Sequence, residues 1–560
     1  MNIKQYPAII IFIFTATVFS LWLNFNEIVG IDVRFAMMVE NMRHHGIDVF
    51  ATINNQPYAD YFSPYVFLSY LTSLGGRWIN MFSLALPTIL LAAYTTAITY
   101  KIGAKIKPEM GAYAVIFTFL AYEYLNICRQ FSIDMPVAAA TVTIIYSLGE
   151  NRWKAMLLIP LSFFFAYAMR GPFGLIMSGG ALGGWLLMRR EWKNFILWAA
   201  TGAICSGICV LATVFLIFYS GGRELWDIFV EWQISSRMKD GKELYFFTNA
   251  VGSFAITYPV TVAVFAFNYK KLAFWRESND QAVMFLRGIF GWIILPLIAL
   301  SIPGCKHLRY MTAVIPALCL GAAFGALQLQ NSVLHPVIIK IMKQIERLVL
   351  PLLAVFIVVF HLITKQLVSD GGSLLMAPLI AVGVLFCIRH KTKKFLPHPL
   401  FKLCCAVAAV TLTVNILVVA PWYAKYENSS RFVAAVEQQR RGEVYLYQLG
   451  PDHDDLKYLI HLSPERRIGV KYIFDKGAGS KMYPVAGNAA LLAELPSGDI
   501  VIMRERDIKK IMKLIPGFDE LFEEIVSGKM AHRTFVAFVK NIPPMLLSLN
   551  LKKAFETINS

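Results

Sequence analysis

The sequence contains little charge for its length. Only 16% of its 560 residues are Asp, Glu, Lys or Arg, whereas 57% are hydrophobic, and the mean hydropathy is +0.55. This composition excludes a soluble enzyme and an amphipathic surface protein. The sequence also lacks a P-loop, a GxGxxG motif and any Cys or His spacing typical of a metal site. An ATP-driven or dinucleotide-dependent activity therefore has no support.

Long apolar runs dominate what is present. About thirteen of them approach the roughly 20 residues that a helix needs to cross a bilayer. The predicted spans are 7–24, 79–100, 110–127, 134–149, 154–170, 171–188, 194–220, 249–268, 283–301, 309–328, 348–365, 373–388 and 401–421. The first run has one Lys before it and no small-residue cleavage site after it, so we interpret it as a retained helix rather than a signal peptide.

Lys and Arg concentrate in every second loop between these runs. The basic positions are Lys4, Lys101–Lys107, Arg152–Lys154, Arg189–Lys193, Lys270–Arg276, Lys340–Arg347 and Arg389–Lys394. Cytoplasmic loops of membrane proteins collect such residues, so the net charge of +17 reflects topology and not a nucleic-acid partner. This pattern predicts a multi-pass protein of a cell membrane with a cytoplasmic N-terminus and, because the number of spans is odd, a C-terminus on the outer side.

The composition changes after residue 421. Shorter runs at 443–449, 472–475, 499–504 and 534–540 are typical of strands, and 429–441 and 506–527 of helices, the second divided at Pro516. We therefore predict a transmembrane domain at 1–421 and a small outer (periplasmic) α/β domain at 422–560. All eight cysteines precede residue 406, which excludes a disulfide within this outer domain.

Two of the predicted outer loops are long. The loop 25–78 is rich in aromatic residues and contains a short apolar helix at 64–75, and the loop 221–248 contains Trp226, Phe229 and Trp232. Aromatic, amphipathic elements of this kind lie in the plane of the membrane interface. Both loops would therefore sit where a lipid-linked substrate presents its polar headgroup.

Carboxylates occur on the same outer side. Asp32 follows the first span, Asp60 lies among aromatic residues, Asp134 begins a span, and Glu231 lies in the second long loop. Asp32 and Asp134 each have a structural alternative, because Asp near a helix start caps free N–H groups and suits the helix dipole.

Positively charged residues occur on the same outer side as these carboxylates, although outer loops usually contain few Lys and Arg residues. Lys306, His307 and Arg309 cluster on the outer side, and Arg170 precedes a Gly-Pro turn there. Such a cluster suits a phosphate, with Arg as the better bidentate partner. Together the two sets of residues suit transfer from a phosphate-linked lipid: a carboxylate deprotonates an acceptor hydroxyl and the cations stabilise the departing phosphate.

At these residues the chain resembles the integral-membrane glycosyltransferases of the protein O-mannosyltransferase and aminoarabinose (lipid A) transferase type, which use polyprenyl-phosphate sugars. The resemblance covers roughly residues 7–421 and has these segments in the family's order: Asp32–Ala36, Pro57–Asp60, Arg129–Pro136, Arg170–Gly174, Glu231–Arg237 and Lys306–Ala317. The tail is similar to the periplasmic domain of the aminoarabinose-transferase branch.

The resemblance implies a GT-C fold, which is an all-α polytopic membrane bundle, here with a small C-terminal α/β domain. It implies that a sugar is transferred, with inversion, from an undecaprenyl-phosphate sugar to a lipid A-like lipid, a glycan or a protein in a bacterial inner membrane. It maps the catalytic carboxylates to Asp32 and Asp134. The substrate-binding candidates are Arg34, Tyr58, Asp60, Tyr61, Arg129, Arg170, Glu231, Arg237, Lys306, Arg309 and Tyr310.

Three departures from the family leave the sugar and the acceptor open. Ile31 replaces one member of an Asp-Glu pair, Tyr61 stands where lipid A-modifying members have a phosphate-binding Lys, and Trp232 follows Glu231 in place of a His. No cofactor is certain, and a divalent metal at Asp60 is left open. The alternative is a lipid-linked glycan transporter or flippase, against which the absence of a visible inverted repeat and the terminal placement of the charges argue.

Overall fold

The computed structural model shows two compact units, Met1–Asn26 with Ala59–Trp422, and Glu27–Tyr58 with Tyr423–Ser560. The predicted loop 25–78 is thus divided between them. Apart from isolated single residues, the structure describes 7–21, 32–53, 56–233, 245–273, 275–304, 306–330, 399–419, 430–448, 470–474, 494–515, 517–530 and 533–541.

The first unit is helical. Its helices are α1 (Pro7–Ser20), α3 (Ser63–Thr72), α4 (Met81–Ala104), α5 (Pro108–Leu120), α6 (Tyr122–Cys128), α7 (Met135–Ser147), α8 (Arg152–Arg170), α9 (Pro172–Met188), α10 (Trp192–Gln233), α11 (Tyr245–Ser253), α12 (Thr257–Phe267), α13 (Tyr269–Leu272), α14 (Gln281–Ser301), the 3-10 turn Leu308–Ala313, α15 (Ile315–Gln330), the helix Pro399–Val414 and the π-helical turn Asn415–Val419.

Some of these helices are long enough to cross a membrane. Among the described residues, α4, α10 and α14 are long and apolar enough to cross a membrane, and two bent helix pairs raise the number to five if each pair is one span. The predicted spans 348–365 and 373–388 lie outside the described residues. The total of about thirteen spans stays a prediction.

Two spans predicted as continuous are bent in the structure. The predicted span 110–127 is α5 and α6, which turn by 79°, and 249–268 is α11 and α12, which turn by 120°. Ala121 separates the first pair with φ −83° and ψ 87°, outside the helical region. Hydropathy does not detect such breaks, because it averages over the residues on both sides.

The predicted loop 221–248 begins with a helical segment. Helix α10 has a kink at Gly222, where φ is 61° and ψ is −146°, close to the end predicted for the span at residue 220, and the chain is helical beyond the kink to Gln233. The short apolar helix predicted at 64–75 is confirmed as α3. The predicted span 309–328 starts later than expected, because Leu308–Ala313 is a 3-10 turn and α15 begins at Ile315.

Tight helix approaches build the centre of this unit. Helices α8 and α9 form a hairpin about Gly171, whose φ of 66° and ψ of −151° only glycine adopts readily. Helices α9 and α14 cross where Gly184 faces Gly291, and a Cβ on either residue would collide with the backbone of the other helix. Small residues at such a crossing let two helix backbones approach closely.

The second unit contains helix α2 (Asp32–His45) and a five-stranded sheet. A separate two-stranded hairpin is formed by β1 (Phe50–Ile53) and β2 (Gln56–Phe62). The larger sheet consists of β3 (Val444–Gln448), β4 (Val470–Phe474), β5 (Ile500–Arg504), β6 (Phe522–Met530) and β7 (Arg533–Lys540), and this unit also has the helices Ser430–Gln439, Glu505–Leu514 and Phe518–Leu521. The strand order is β4-β3-β5-β7-β6, with parallel pairing among the first three strands and antiparallel pairing after them.

The predicted strands are found within a few residues, but the helix predicted at 506–527 is wrong at its end. The chain leaves the helix near Pro516, as predicted, and residues 522–530 form strand β6. Strand β6 pairs with β7 along its length, with an irregularity between Glu524 and Val526. That irregularity disturbs the alternation by which a strand is recognised in a sequence.

Candidate functional site

A buried ion pair joins α8 to the start of α7. The Arg170 Nε donates to Asp134 Oδ1 at 2.9 Å, and the side chains of both residues are only 2% exposed. Arg170 is the last residue of α8, directly before the Gly171 turn. A buried charge of this kind is retained only when it is paired, so the two residues depend on each other.

A second guanidinium approaches the same carboxylate. The Arg309 Nε lies 3.7 Å from Asp134 Oδ2, and the Arg309 side chain is 26% exposed. Neither of these two atoms makes a hydrogen bond with any residue that the structure describes, and 3.7 Å exceeds a hydrogen-bond distance. Arg309 is therefore attracted by the carboxylate without being fixed by it.

Aromatic rings surround the two guanidinium groups. The Arg170 Cζ lies 5.6 Å from the ring centroid of Tyr61, 5.3 Å from that of Phe173 and 5.8 Å from that of Tyr310. The Arg309 Cζ lies 5.8 Å from the Tyr310 centroid. Rings at these distances attract cations through their quadrupoles and keep water away from the ion pair. The aromatic wall thus strengthens the local electrostatics.

Hydrogen bonds hold the segments that carry these residues. The Thr88 hydroxyl accepts from the Ser132 backbone N–H at 3.0 Å and pairs with the Tyr65 hydroxyl at 2.6 Å. These contacts position the segment that ends at Asp134. The Trp292 Nε1 donates to the Ala313 carbonyl at 3.1 Å and so fixes the 3-10 turn that carries Arg309.

The structure rejects the helix-capping interpretation of Asp134. Asp134 occupies the N-cap position of α7 with helical φ and ψ, and its side chain makes no capping hydrogen bond. Its carboxylate faces Arg170 and Arg309 instead. The sequence signal for this role was the isolated Arg before the Gly-Pro turn, which a tight turn alone does not explain.

Three other predicted site residues lie in the second unit. Asp32 is the first residue of α2 and is 2% exposed. The Arg34 Nη1 donates to the Tyr58 hydroxyl at 2.9 Å, and its guanidinium lies 5.4 Å from the centre of the Tyr58 ring. Arg34 and Tyr58 therefore form one polar contact, and their role at a substrate stays a prediction.

Two further candidates contact backbone carbonyls. Arg129 is buried and donates to the carbonyls of Phe19 and Leu21, both at 3.0 Å, at the end of α1. The Lys306 Nζ donates to the Ser301 carbonyl at 3.0 Å. These are the contacts of groups that satisfy helix C-termini.

The remaining candidates are less defined. Glu231 is exposed near the end of α10, and Arg237 and the side chain of Asp60 lie outside the described residues. No group of three or more His, Cys, Asp and Glu residues that could hold a metal ion occurs in the described part of the chain. A metal at Asp60 therefore stays a prediction.

Phe173 is a site residue that the candidate set lacked. Its ring packs on Arg170 and lies 5.0 Å from the ring of Tyr310. The signal was its position three residues after Arg170, across the Gly-Pro turn.

Solved structures with this fold are known. ArnT from Cupriavidus metallidurans bound to undecaprenyl phosphate has a TM-score of 0.68 and 15% sequence identity, over 96% of this chain and 98% of ArnT. The apo state of the same protein has a TM-score of 0.67, also at 15% identity, over 95% and 98%. No family model and no curated protein sequence matches. The similarity extends over nearly the whole of both chains, and the chain therefore has the fold of ArnT.

Proposed function

We propose that this chain is an integral-membrane glycosyltransferase. It transfers a hexosyl or pentosyl group from an undecaprenyl-phosphate sugar to a hydroxyl of a lipid A-like lipid, a glycan or a protein. The reaction takes place at the outer face of a bacterial inner membrane, with the C-terminal unit on that side. The fold of ArnT, whose crystal structure contains undecaprenyl phosphate, supports the choice of donor.

One observation carries the proposal: two guanidinium groups share one buried carboxylate. Both guanidinium groups face the carboxylate of Asp134, which carries one negative charge. Arg170 is fully buried and fixed, whereas Arg309 is partly exposed and its Nε is unbonded among the described residues. Arg309 is thus the group that can turn to a ligand phosphate, and Asp134 and Arg170 hold the charge behind it.

A guanidinium that can turn to the donor phosphate fits the reaction. The donor is a phosphodiester with one negative charge, and cleavage of its sugar–oxygen bond yields a phosphomonoester with a second one. A preorganised cation stabilises charge that develops in the transition state more than it stabilises the ground state. Arg309 would therefore favour departure of the lipid phosphate.

The acceptor hydroxyl needs a proton acceptor. We propose Asp32 for this role on the basis of the family resemblance. The acceptor oxygen attacks the anomeric carbon, its proton passes to the Asp32 carboxylate, and the electron pair of the broken bond leaves with the phosphate. A single displacement of this kind inverts the anomeric configuration. Arg34, Tyr58, Asp60, Tyr61, Arg129, Glu231, Arg237, Lys306 and Tyr310 remain proposed substrate contacts.

Arg309→Ala tests the donor contact. A charge-assisted contact to phosphate contributes about 1.5–3 kcal/mol, so the variant should bind undecaprenyl phosphate roughly 10- to 150-fold more weakly. Because Arg309 is partly exposed and only loosely paired, its loss should leave the bundle folded.

Arg223→Ala is the matched control. Arg223 is an exposed arginine that pairs with Asp227 on α10 at 3.2 Å. Binding should be measured for both purified variants in lipid nanodiscs. Equal affinities of Arg309→Ala and Arg223→Ala for undecaprenyl phosphate would remove Arg309 from the donor site.

A further inference from the structure

A groove runs along helix α9, from Leu175 to Leu186. It is a cavity of about 290 Å³ between α8, α9, α10 and α14. Its walls include Phe163, Leu182, Leu186, Phe195, Trp198 and Leu295. Glycines on α9 and α10 provide its depth, since a Cβ at Gly202 would already meet Phe163 at 3.6 Å.

The groove is apolar throughout. Among the described residues that line it, Ser206 has the one polar side chain, and the Ser206 hydroxyl donates within its own helix to the Gly202 carbonyl at 2.7 Å. Helix α10 is otherwise poorly covered: only 22% of its most apolar stretch is buried. The groove therefore borders the lipid phase and suits a hydrocarbon chain.

Basic residues lie close in sequence to one end of this groove. In the turn between α9 and α10, Arg189 comes three residues after the lining residue Leu186, Lys193 comes two residues before the lining residue Phe195, and Arg190 lies between them. Arg170 lies at the opposite end of α9, about 25 Å away by the rise of a 17-residue helix. The basic turn thus belongs to the membrane leaflet opposite to the candidate site.

The three cations differ in their partners. Arg189 pairs with Glu191 at 2.6 Å and Arg190 with Glu277 at 3.6 Å. Lys193 is exposed, and no carboxylate in the described part of the chain forms an ion pair with it. Lys193 is therefore available to an anionic headgroup, and basic residues between transmembrane helices at this level bind anionic lipids.

We propose that this groove binds one anionic phospholipid of the leaflet opposite to the candidate site. One acyl chain fills the space beside Gly202 and Trp198, and the lipid phosphate contacts Lys193. Charge complementarity selects an anionic lipid over a zwitterionic one, and the proposal does not depend on the enzymatic activity.

Filling the groove tests the acyl-chain site. Gly202→Leu inserts a side chain into the groove, whereas Gly207→Leu makes the same change on the same helix where a Cβ meets nothing within 4 Å. The full chain is purified from nanodiscs containing phosphatidylglycerol and phosphatidylcholine with matched acyl chains. Native mass spectrometry then measures the lipid that each variant retains.

The wild type should retain one phosphatidylglycerol in preference to phosphatidylcholine. Gly202→Leu should reduce this retention at least about tenfold, which corresponds to roughly two methylene groups excluded from the groove. Gly207→Leu should retain lipid like the wild type. Equal retention by the two leucine variants, or lipid-independent dimers in place of a bound lipid, would overturn the acyl-chain assignment.

The headgroup contact is tested separately. Lys193→Gln should reduce the preference for phosphatidylglycerol about fivefold, and Lys107→Gln, at an exposed lysine just before α5, should leave it unchanged. Equal retention of the two phospholipids by the wild type, or an unchanged preference in Lys193→Gln, would overturn the proposal. This pair of variants remains decisive if Gly202→Leu does not fold.

Discussion

Replacement of Asp134 by Asn should destabilise the protein far more than an ordinary helix-cap change. The substitution keeps the shape of the side chain and removes its charge. Arg170, which is 2% exposed and donates to Asp134 Oδ1 at 2.9 Å, would then be a buried cation that has lost the negative charge facing its Nε. Arg309 would lose the same counter-charge, although its 26% exposure lets water compensate in part.

The expected magnitude follows from the burial of the pair. Breaking a buried ion pair on one side costs about 3–5 kcal/mol of unfolding free energy, mostly because the remaining charge stays desolvated. Asn keeps one acceptor oxygen for the Arg170 Nε, so we expect about 3 kcal/mol, the lower end of that range. If Asp134 were only a cap, the cost would be near zero, because Asn caps as well as Asp.

Asp280→Asn is the matched control. The Asp280 Oδ1 accepts from the Ala282 backbone N–H at 2.8 Å at the start of α14, so Asp280 is a true cap. Thermal unfolding of the purified protein should show a large loss for Asp134→Asn and almost none for Asp280→Asn. The double variant Asp134→Asn, Arg170→Met should recover part of the loss, because it also removes the buried cation that faced Asp134. Equal unfolding midpoints for the two single Asn variants would refute the ion-pair account.

Three further predictions concern the turn, the sheet and the topology. Gly171→Ala should cost about 1–3 kcal/mol, because the turn has a glycine-only φ and ψ and a Cβ there would lie 3.0 Å from the Phe62 ring, whereas Gly207→Ala should be neutral in the same unfolding assay. Burial lowers the pKa of Lys540 to about 8, so the folded state releases this proton at a lower pH than the unfolded state does. The free energy of unfolding should therefore rise from about pH 8 to about pH 10.4. Hydrogen exchange of the β7 amides should show this rise in the wild type, and the rise should be absent in Lys540→Met. After Tyr423, a fused reporter that functions only outside the cytoplasm should be active, and one that functions only in the cytoplasm should be inactive. The opposite result would reverse the proposed topology.

Hydropathy and turn chemistry predict much of the fold. The bounds of α4, α8, α9 and α14 were predicted within a few residues, since the length of a continuous apolar run is enough to identify a membrane-spanning helix. The bend within the predicted span 110–127 was not predicted, because the break at Ala121 depends on a single pair of φ and ψ values. Strand β6 was predicted as a helix because its sequence lacks a clean alternation.

The site was predicted as a set of residues and not as a geometry. Asp134, Arg170 and Arg309 were each chosen from the sequence, but their convergence on one carboxylate depends on the α8–α9 hairpin and on the 3-10 turn before α15. Lys306, placed with Arg309 by the sequence, instead donates to a carbonyl at the end of α14. Lys306 and Arg309 are three positions apart, and the directions of their side chains depend on the local backbone conformation, which the sequence does not reveal.

Donor turnover tests the central claim most directly. The purified protein in nanodiscs is supplied with undecaprenyl-phosphate sugars and an envelope extract as the acceptor, and mass spectrometry follows both the released undecaprenyl phosphate and the sugar-modified product. We expect both products from the wild type, a fall in turnover on the order of 10²–10⁴ for Asp32→Asn, and no change for Asp48→Asn, an exposed carboxylate on the same loop. Near-normal transfer by Asp32→Asn would move the base to another residue. Movement of the intact donor across the bilayer without cleavage would contradict a transferase altogether.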